Sequence, residues 1–286
     1  MSSVSIIIPS FNRPERLRNC LAALSKQDGG PYETIVVDDG SPEPLAPICA
    51  EFGAHVRCLR QDNAGPAKAR NTGAAASQAD LLAFTDDDCQ PEPGWIAGLR
   101  SAHAGRREAL VGGHVVNLLT DNVYSASSQT LCDFLYDHFG AADGAMPFFT
   151  SNNMACDRVA FLELGGFDET FPLAAAEDRD FGMRWREGGG RLIYAPDAIV
   201  GHAHDMTLAR FLRQHSNYGK GARHLHRTLD QRGSDAIRFE GLRFYSRLLF
   251  YPWESGQPMR VRQSALMVLS QVAMVGGYLQ SVLRSH

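Results

Sequence analysis

Over the first 120 residues, short apolar runs alternate with segments whose apolar positions recur at helical spacing. Residues 4–9 (VSIIIP) form a β-branched run. Leu17, Leu21 and Leu24 then line one helical face behind Pro14, a residue suited to a helix's first turn. Residues 34–38 (TIVVD), 56–59 and 81–85 (LLAFT) read as further strands. Residues 66–77 (PAKARNTGAAAS) read as a helix with Gly73 inside it. Continuous rather than alternating apolar strands suit a sheet covered on both faces. Strands and helices in alternation predict a mostly parallel α/β sheet flanked by helices.

Downstream, residues 110–116, 148–154 and 191–194 are expected strands. Residues 158–164 and 178–187 are expected helices, the second stopped at Gly188. Residues 206–230 and 236–250 look helical and basic, and residues 264–283 carry no charge. That last stretch is expected to be a packed or dimer-forming helix. A membrane-surface helix and a span are the alternatives; its Ser, Gln and Gly-Gly content weakens the span.

A mostly parallel sheet binds ligands beyond the carboxyl ends of its strands, and polar groups collect there. Pro9-Ser10-Phe11-Asn12-Arg13 follow the first strand, Asp38-Asp39-Gly40-Ser41 the second, and Asp86-Asp87-Asp88 the fourth. Asp-Gly-Ser is also ordinary turn chemistry. Three neighbouring carboxylates repel one another, and a bound cation relieves that conflict; an oxygen-rich site favours Mg²⁺ or Mn²⁺. In extended geometry Asp86 and Asp88 would share one side and Asp87 take the other. Asn63-Ala64-Gly65-Pro66, followed by Lys68 and Arg70, leads a loop into a helix start, a setting suited to phosphate. Glu177-Asp178 opens another helix, where acids favour the dipole and where a general base would also sit well. His202 and His204, two apart in a strand, would share a face; a structural role and a metal role both stay open.

Charge changes this picture at one point. The chain has 286 residues and a formal charge of −4. Residues 1–205 hold 16 basic and 28 acidic side chains, whereas residues 206–286 hold 12 basic and 4 acidic. The basic arm suggests an anionic partner, while the pI near 6.2 argues against a nucleic-acid binder. The six cysteines form no C-x-x-C pair, and the apolar run at 4–8 is too short for a signal peptide. The expectation is a cytoplasmic protein with reduced thiols, its arm reaching the inner face of the membrane.

Taken together, IIIPSFNRPERL, IVVDDGS, NAGPAKARNTGA, FTDDD, SNNMA, GGFDE, EDRDFGMRWREGG and PDAIVGH resemble, in order and spacing, a family 2 glycosyltransferase of the GT-A, Rossmann-like fold. The resemblance covers about three quarters of the chain. It implies a nucleotide-diphosphate sugar donor, a UDP-sugar foremost, a divalent cation (Mg²⁺ or Mn²⁺), and inversion at the anomeric carbon. Pro9, Phe11 and Arg13 match the motif lining the nucleotide pocket, and Asp39 the carboxylate that meets the nucleobase. Lys68 and Arg70 match the basic helix near the nucleotide. Asp86, Asp87 and Asp88 match the D-x-D region, with Asp88 and Asp86 as metal ligands and His202 approaching the metal or diphosphate. Asn152 and Asn153 match a stretch lining the donor sugar, Phe167 and Asp168 the loop that approaches the acceptor. Asp178 matches the catalytic base, supported by Glu177.

The expected organisation is a catalytic domain over 1–205, with a nucleotide half to about 115 and an acceptor half beyond it, then a helical extension over 206–286. The acceptor would be a glycan, a lipid-linked glycan or a small molecule, with peripheral membrane contact or a homodimer through the extension. The chain lacks a Q-x-x-R-W motif, so single-sugar transfer for cell-surface glycan or glycolipid synthesis is expected. A nucleotidyltransferase would want a Gly-rich N-terminal loop that residues 9–13 do not supply. An inactive sugar-nucleotide-binding module would fit best without Asp86, Asp88 or Asp178, and all three are present.

Overall fold

The computed structural model describes residues 3–140, 146–171, 175–234 and 240–283. The chain divides into two compact units. The first comprises Met1–Val116, Gly140–Thr170 and Asp178–Ala203; the second comprises Asn117–Phe139, Phe171–Glu177 and His204–His286. Residues 117–139 and 171–177 thus fold with the C-terminal helices, although they lie inside the 1–205 stretch.

The first unit is built on one eight-stranded sheet. Its strands are β1 (Val4–Ser10), β2 (Tyr32–Asp38), β3 (Val56–Arg60), β4 (Leu81–Thr85), β5 (Cys89–Pro91), β6 (Ala109–Asn117), β7 (Asn153–Asp157) and β8 (Arg191–His202), in the order β3-β2-β1-β4-β7-β6-β8-β5. The β3-β2-β1-β4 half is parallel. β7 runs antiparallel to β4 and β6, and β5 antiparallel to β8.

Alternation along β1 sorts its side chains onto two cores. Ile6 and Ile8 pack with Leu17, Leu21 and Leu24 of α1 (Pro14–Leu24), Ile48 of α2 (Ala46–Ala50), and Trp95, Ile96 and Leu99 of α4 (Trp95–His103). Ile7 points to the other face, toward α3 (Pro66–Ala76). There Gly73 lies against Ile7 and Val37, and a Cβ would come within 3.2 Å of the Val37 side chain. The glycine is therefore what lets α3 seat on the sheet. An aromatic cluster extends from Phe84 of β4. Phe161 of α6 (Arg158–Glu163) lies 5.2 Å from it and Phe167 5.4 Å, while Phe181 of α7 (Glu177–Glu187) lies 4.9 Å from Phe167.

Two strand expectations shift. The strand placed over 148–154 is found at Asn153–Asp157, because Phe148 and Phe149 are buried in a loop and Phe149 occupies the space over Gly112. The strand placed over 191–194 continues to His202.

The second unit is helical: α5 (Val123–His138), α8 (Leu208–Arg232), α9 (Leu242–Glu254) and α10 (Arg260–Leu283). Phe134 of α5 packs with Leu248 of α9 and Met267 of α10. Phe211 of α8 packs with Met206 and Leu266. α8 and α10 meet at backbone range: a Cβ on Gly219 would fall on the Met274 carbonyl, and one on Gly277 on the Ser216 carbonyl. The expected helix over 206–230 is α8. The one over 236–250 begins later, after Gly241, and residues 235–239 lie outside the described residues.

Candidate active site

β2, β1 and β4 are parallel neighbours, so their carboxyl ends lie on one edge of the sheet. The loops there are tied together by backbone. Asp39 N donates to Ser10 O at 2.9 Å, and Asn12 N donates to Ser41 Oγ at 2.9 Å. Asn12 holds a left-handed φ of 54°, which Asn tolerates better than most residues. Beside it Phe11 is 46% exposed, a large ring left at the edge rather than in the core. Pro9 sits within β1, partly buried, in register with Val37.

The Asp86-Asp87-Asp88 run is a turn and not an extended segment: Cys89 N donates back to Asp86 O at 3.1 Å. The expected two-sided alternation is replaced by three separate partners. Asp86 Oδ1 accepts from the buried Arg70 at 2.7 Å. Asp87 accepts from Ser10 Oγ at 2.7 Å and from Arg13 at 3.0 Å. Asp88 Oδ2 accepts from Arg16 at 3.0 Å, with Arg13 at 3.5 Å. Burial is the main force that pushes the Asp87 carboxyl up to about 6. Arg13 works against it and the like charge of Asp88 adds to it.

The β5–β8 ladder completes this corner. It pairs Cys89 with His202, and Ala203 N donates to Asp88 O at 2.9 Å. His202 Nε2 is thereby placed 3.3 Å from Asp88 Oδ1. The ligand atoms of Asp88, Cys89 and His202 all lie within 4.8 Å of one another. A carboxylate oxygen and an imidazole nitrogen that close fit a divalent cation. The Cys89 thiol is fully buried, and burial, with Asp86 and Asp88 nearby, pushes it up, so it stays protonated unless a soft ion takes it. Asp86, expected as a second ligand, lies outside this trio and faces Arg70.

Asp39 organises a loop. Its Oδ1 accepts from Gln61 Nε2 at 2.7 Å and Ala64 N at 2.9 Å, and its Oδ2 from Gly65 N at 2.8 Å. This fixes the entry to α3, where Gly65 holds a φ of 89°. Asp39→Asn places an amide N–H₂ against backbone donors. A thermal melt is expected to show a loss of about 1–3 kcal/mol; an unchanged melt means the loop is held by other contacts. Asp38 serves its own turn, accepting from Ser41 N, Leu45 N and Arg60. Lys68 is exposed and pairs with Glu169 at 3.2 Å.

Two expected site residues belong to the framework. Phe167 is 1% exposed inside the aromatic cluster, so its ring is not open to an acceptor. Asn153 is fully buried. It accepts from Trp95 Nε1 at 2.8 Å and donates to His114 O and Ala198 O, each at 2.9 Å, binding α4, β6 and β8 together. Its neighbour Asn152 is partly buried, with an Oδ1 that has no hydrogen-bond partner among the described residues. Asp168 accepts from Thr170 N at 2.8 Å in an exposed turn.

Asp178 lies in the first turn of α7, partly buried, with Arg179 N donating to its Oδ1 at 2.8 Å. Burial raises its carboxyl above the ordinary range, against the pull of Arg179, Arg70 and the Ser151 amide. Arg70 therefore sits between two carboxylates, bonded to Asp86 and felt by Asp178. Glu177, in the second unit, is buried at the start of the same helix, and Ala176 just before it holds a φ of 74°. That left-handed alanine is a strained residue at a helix start.

Arg16 and Cys89 are site residues that the sequence reading missed, while Ser10, read only as one of the polar residues at the strand end, holds Asp87. Arg16 had a signal, since it stands in the first turn of α1, three residues after Arg13. Cys89 had none until β5 was paired with β8.

Residues 5–165 match the family described as Glycosyl transferase family 2. A pre-mycofactocin glycosyltransferase of Mycobacterium tuberculosis is 33% identical over 229 residues, 77% of this chain and 46% of that protein. The chain thus spans about half the length of that relative. Glycosyltransferase AglE of Haloferax volcanii is 37% identical over 76% of this chain and 72% of its own. Among solved structures, a mannosyltransferase from Pyrobaculum calidifontis in complex with GDP-Man and Mn²⁺ superposes with a TM-score of 0.65 at 18% identity. The match covers 94% of this chain and 75% of that one, a likeness of fold. By the family match across more than half its length, this chain has the GT-A fold and belongs to glycosyl transferase family 2.

Proposed function

We propose that this chain is an inverting glycosyltransferase that moves one sugar from a nucleotide-diphosphate donor to an acceptor hydroxyl, with a divalent cation, Mg²⁺ or Mn²⁺. The observation that carries the reading is the pairing of Asp88 with His202 at the strand ends, in the same turn as Asp86, whose partner Arg70 also acts on the raised carboxyl of Asp178. Asp88 and His202 would hold the cation, which when bound neutralises charge on the departing diphosphate. Phe11 offers its exposed ring to the nucleobase. Arg13, exposed, and Arg16, partly buried, offer guanidiniums to phosphate oxygens. Asp178 takes the proton of the acceptor hydroxyl as that oxygen bonds to C1 and the C1–O bond to the diphosphate breaks. One displacement needs one base and gives inversion.

A UDP-sugar is the first donor to test and GDP-mannose the second, since the structural neighbour holds it. The acceptor is proposed to be a glycan, lipid-linked glycan or small molecule in surface-glycan synthesis. The cytoplasm is the proposed site of action, consistent with the absence of a disulfide among the described residues.

The test is a thermal-shift panel of UDP-, GDP-, dTDP- and CDP-sugars with Mn²⁺ or Mg²⁺. A donor at 100 times its Kd is expected to stabilise the fold by about 2.7 kcal/mol, visible as a rise of several degrees. If no nucleotide sugar raises Tm with cation present, the reading is wrong.

A further inference from the structure

α10 has one packed face and, opposite it, an apolar face that stays open to solvent among the described residues. Gln263, Leu266, Met267, Ser270 and Gly277 are buried within the second unit. On the other side Val261, Ala265, Val268, Val272, Val275, Leu279 and Leu283 recur at steps of three and four, so they form one unbroken stripe. They are not marginally exposed: Val272 is 64% and Leu283 77% open to solvent. At 1.5 Å per residue the stripe runs about 30 Å, longer than the scattered apolar positions of an ordinary surface.

The surroundings say what covers it. α10 contains no acidic residue, and between Ser264 and Leu283 no charge at all. A coiled-coil seam in water is normally flanked by charged positions that choose a partner helix, and none is present here. The charges that do occur, the exposed Arg260 and Arg262, stand at one end of the stripe. There α9 adds exposed Phe250 and Trp253. Trp253 Nε1 donates to Ser264 Oγ at 3.2 Å, and the Arg260 guanidinium lies 4.5 Å over its ring. Tryptophan and arginine at the margin of an apolar stripe match the boundary between lipid headgroups and acyl chains. The whole arm over 206–286 carries 12 basic against 4 acidic side chains, complementary to an anionic leaflet.

A transmembrane path does not suit the helix. Its other face keeps Gln263 and Ser270 buried in the unit, and its backbone at Gly277 rests on Ser216. Spanning would break that packing; lying in the plane keeps it.

We propose that α10 is a membrane-docking helix that lies in the surface of an anionic lipid leaflet, its Val261-to-Leu283 stripe in the acyl boundary and Arg260, Arg262 and Trp253 at the headgroups. The proposal is independent of the sugar-transfer reading.

The test uses the full chain with vesicles of phosphatidylcholine, with and without 30% phosphatidylglycerol, at 100 mM salt. Flotation is expected to show at least tenfold more protein on the anionic vesicles. Val272→Asp/Leu279→Asp, at exposed positions, is expected to keep its circular dichroism and melt and to lose that binding at least tenfold. Arg260→Ser/Arg262→Ser is expected to lose the preference for anionic lipid. Trp253 also gives a local reading, because Trp95 and Trp185 are buried. Its emission is expected to shift to the blue on anionic vesicles, and Trp253→Phe to abolish that shift. Absence of binding by the native chain overturns the proposal, as does binding by the Val272→Asp/Leu279→Asp variant equal to the native chain's. So does a concentration-dependent dimer that this variant disperses while vesicles stay bare, which makes the stripe an interface between two copies.

Discussion

Asp178→Asn is expected to lower the rate of sugar transfer by about 10²- to 10⁴-fold, the range for loss of a general base, while donor affinity stays within about twofold. The residue is well placed for that role. It sits in the first turn of α7, where the helix dipole favours the ionised form, yet burial wins and raises its carboxyl. A raised carboxyl is a stronger base than a surface aspartate. Asn keeps the shape and an oxygen for the Arg179 amide, so what it removes is proton affinity. Two further readings separate a base from a structural residue. The wild-type rate should climb with pH as Asp178 loses its proton, with an acid limb above the usual carboxylate range, and the variant should lack that limb. Stability runs the other way. The folded state holds this proton more tightly than the unfolded chain, so the carboxyl's contribution is fully present below the unfolded pKa and is lost as pH rises through the folded value. At pH 7 the variant should therefore melt no lower than the parent. Transfer within threefold of wild type, measured in single turnovers, would remove Asp178 from the mechanism.

The edge on which these residues meet was legible because β1, β2 and β4 are continuous apolar runs, each followed at once by polar residues. Parallel pairing of such runs leaves little choice about where the carboxyl ends go. What the sequence hid is how the charges are shared. Three adjacent aspartates seemed to require a cation. The folded chain first supplies Arg70 of α3, Arg16 of α1 and Arg13 just before α1, up to 74 residues away in sequence, and the turn at Asp86–Cys89 gives each carboxylate a different closest arginine. Asn153 shows the same limit. Its side chain makes three hydrogen bonds to partners fixed only by strand pairing and by α4, and a motif match cannot tell such a residue from one that touches sugar. α5 went unread because its few core positions, Leu131, Phe134 and Leu135, are diluted by Ser, Gln and Asp and find their partners more than 100 residues later, at Leu248 and Met267. Residues 148–154 failed in the opposite way: two phenylalanines imitate a strand, but Phe149 plugs the gap over Gly112 and Phe148 lies against Gly182.

Asp88→Asn is expected to abolish cation-dependent donor binding while leaving the chain folded. Of the three acids in the turn, only Asp88 is both within 3.3 Å of an imidazole and tied by its backbone to the β8 end through Ala203. Losing a residue that merely supports a metal ligand costs 10- to 100-fold in metal affinity. Loss of the charged ligand itself should reach at least the upper end, about 100-fold in the cation concentration needed for donor binding. Asp86→Asn makes the informative contrast. Asp86 is committed to Arg70, so its loss leaves a buried guanidinium short of a partner and should lower Tm before it changes the cation requirement. Titrating Mn²⁺ at fixed donor, with thermal shift as the readout, distinguishes the two. His202→Ala should move the titration in the same direction as Asp88→Asn, and a chelator should bring the wild type to the level of both. Should Asp86→Asn shift the cation requirement more than Asp88→Asn does, the cation belongs on the Arg70 side of the turn and the Asp88–His202 pairing is structural.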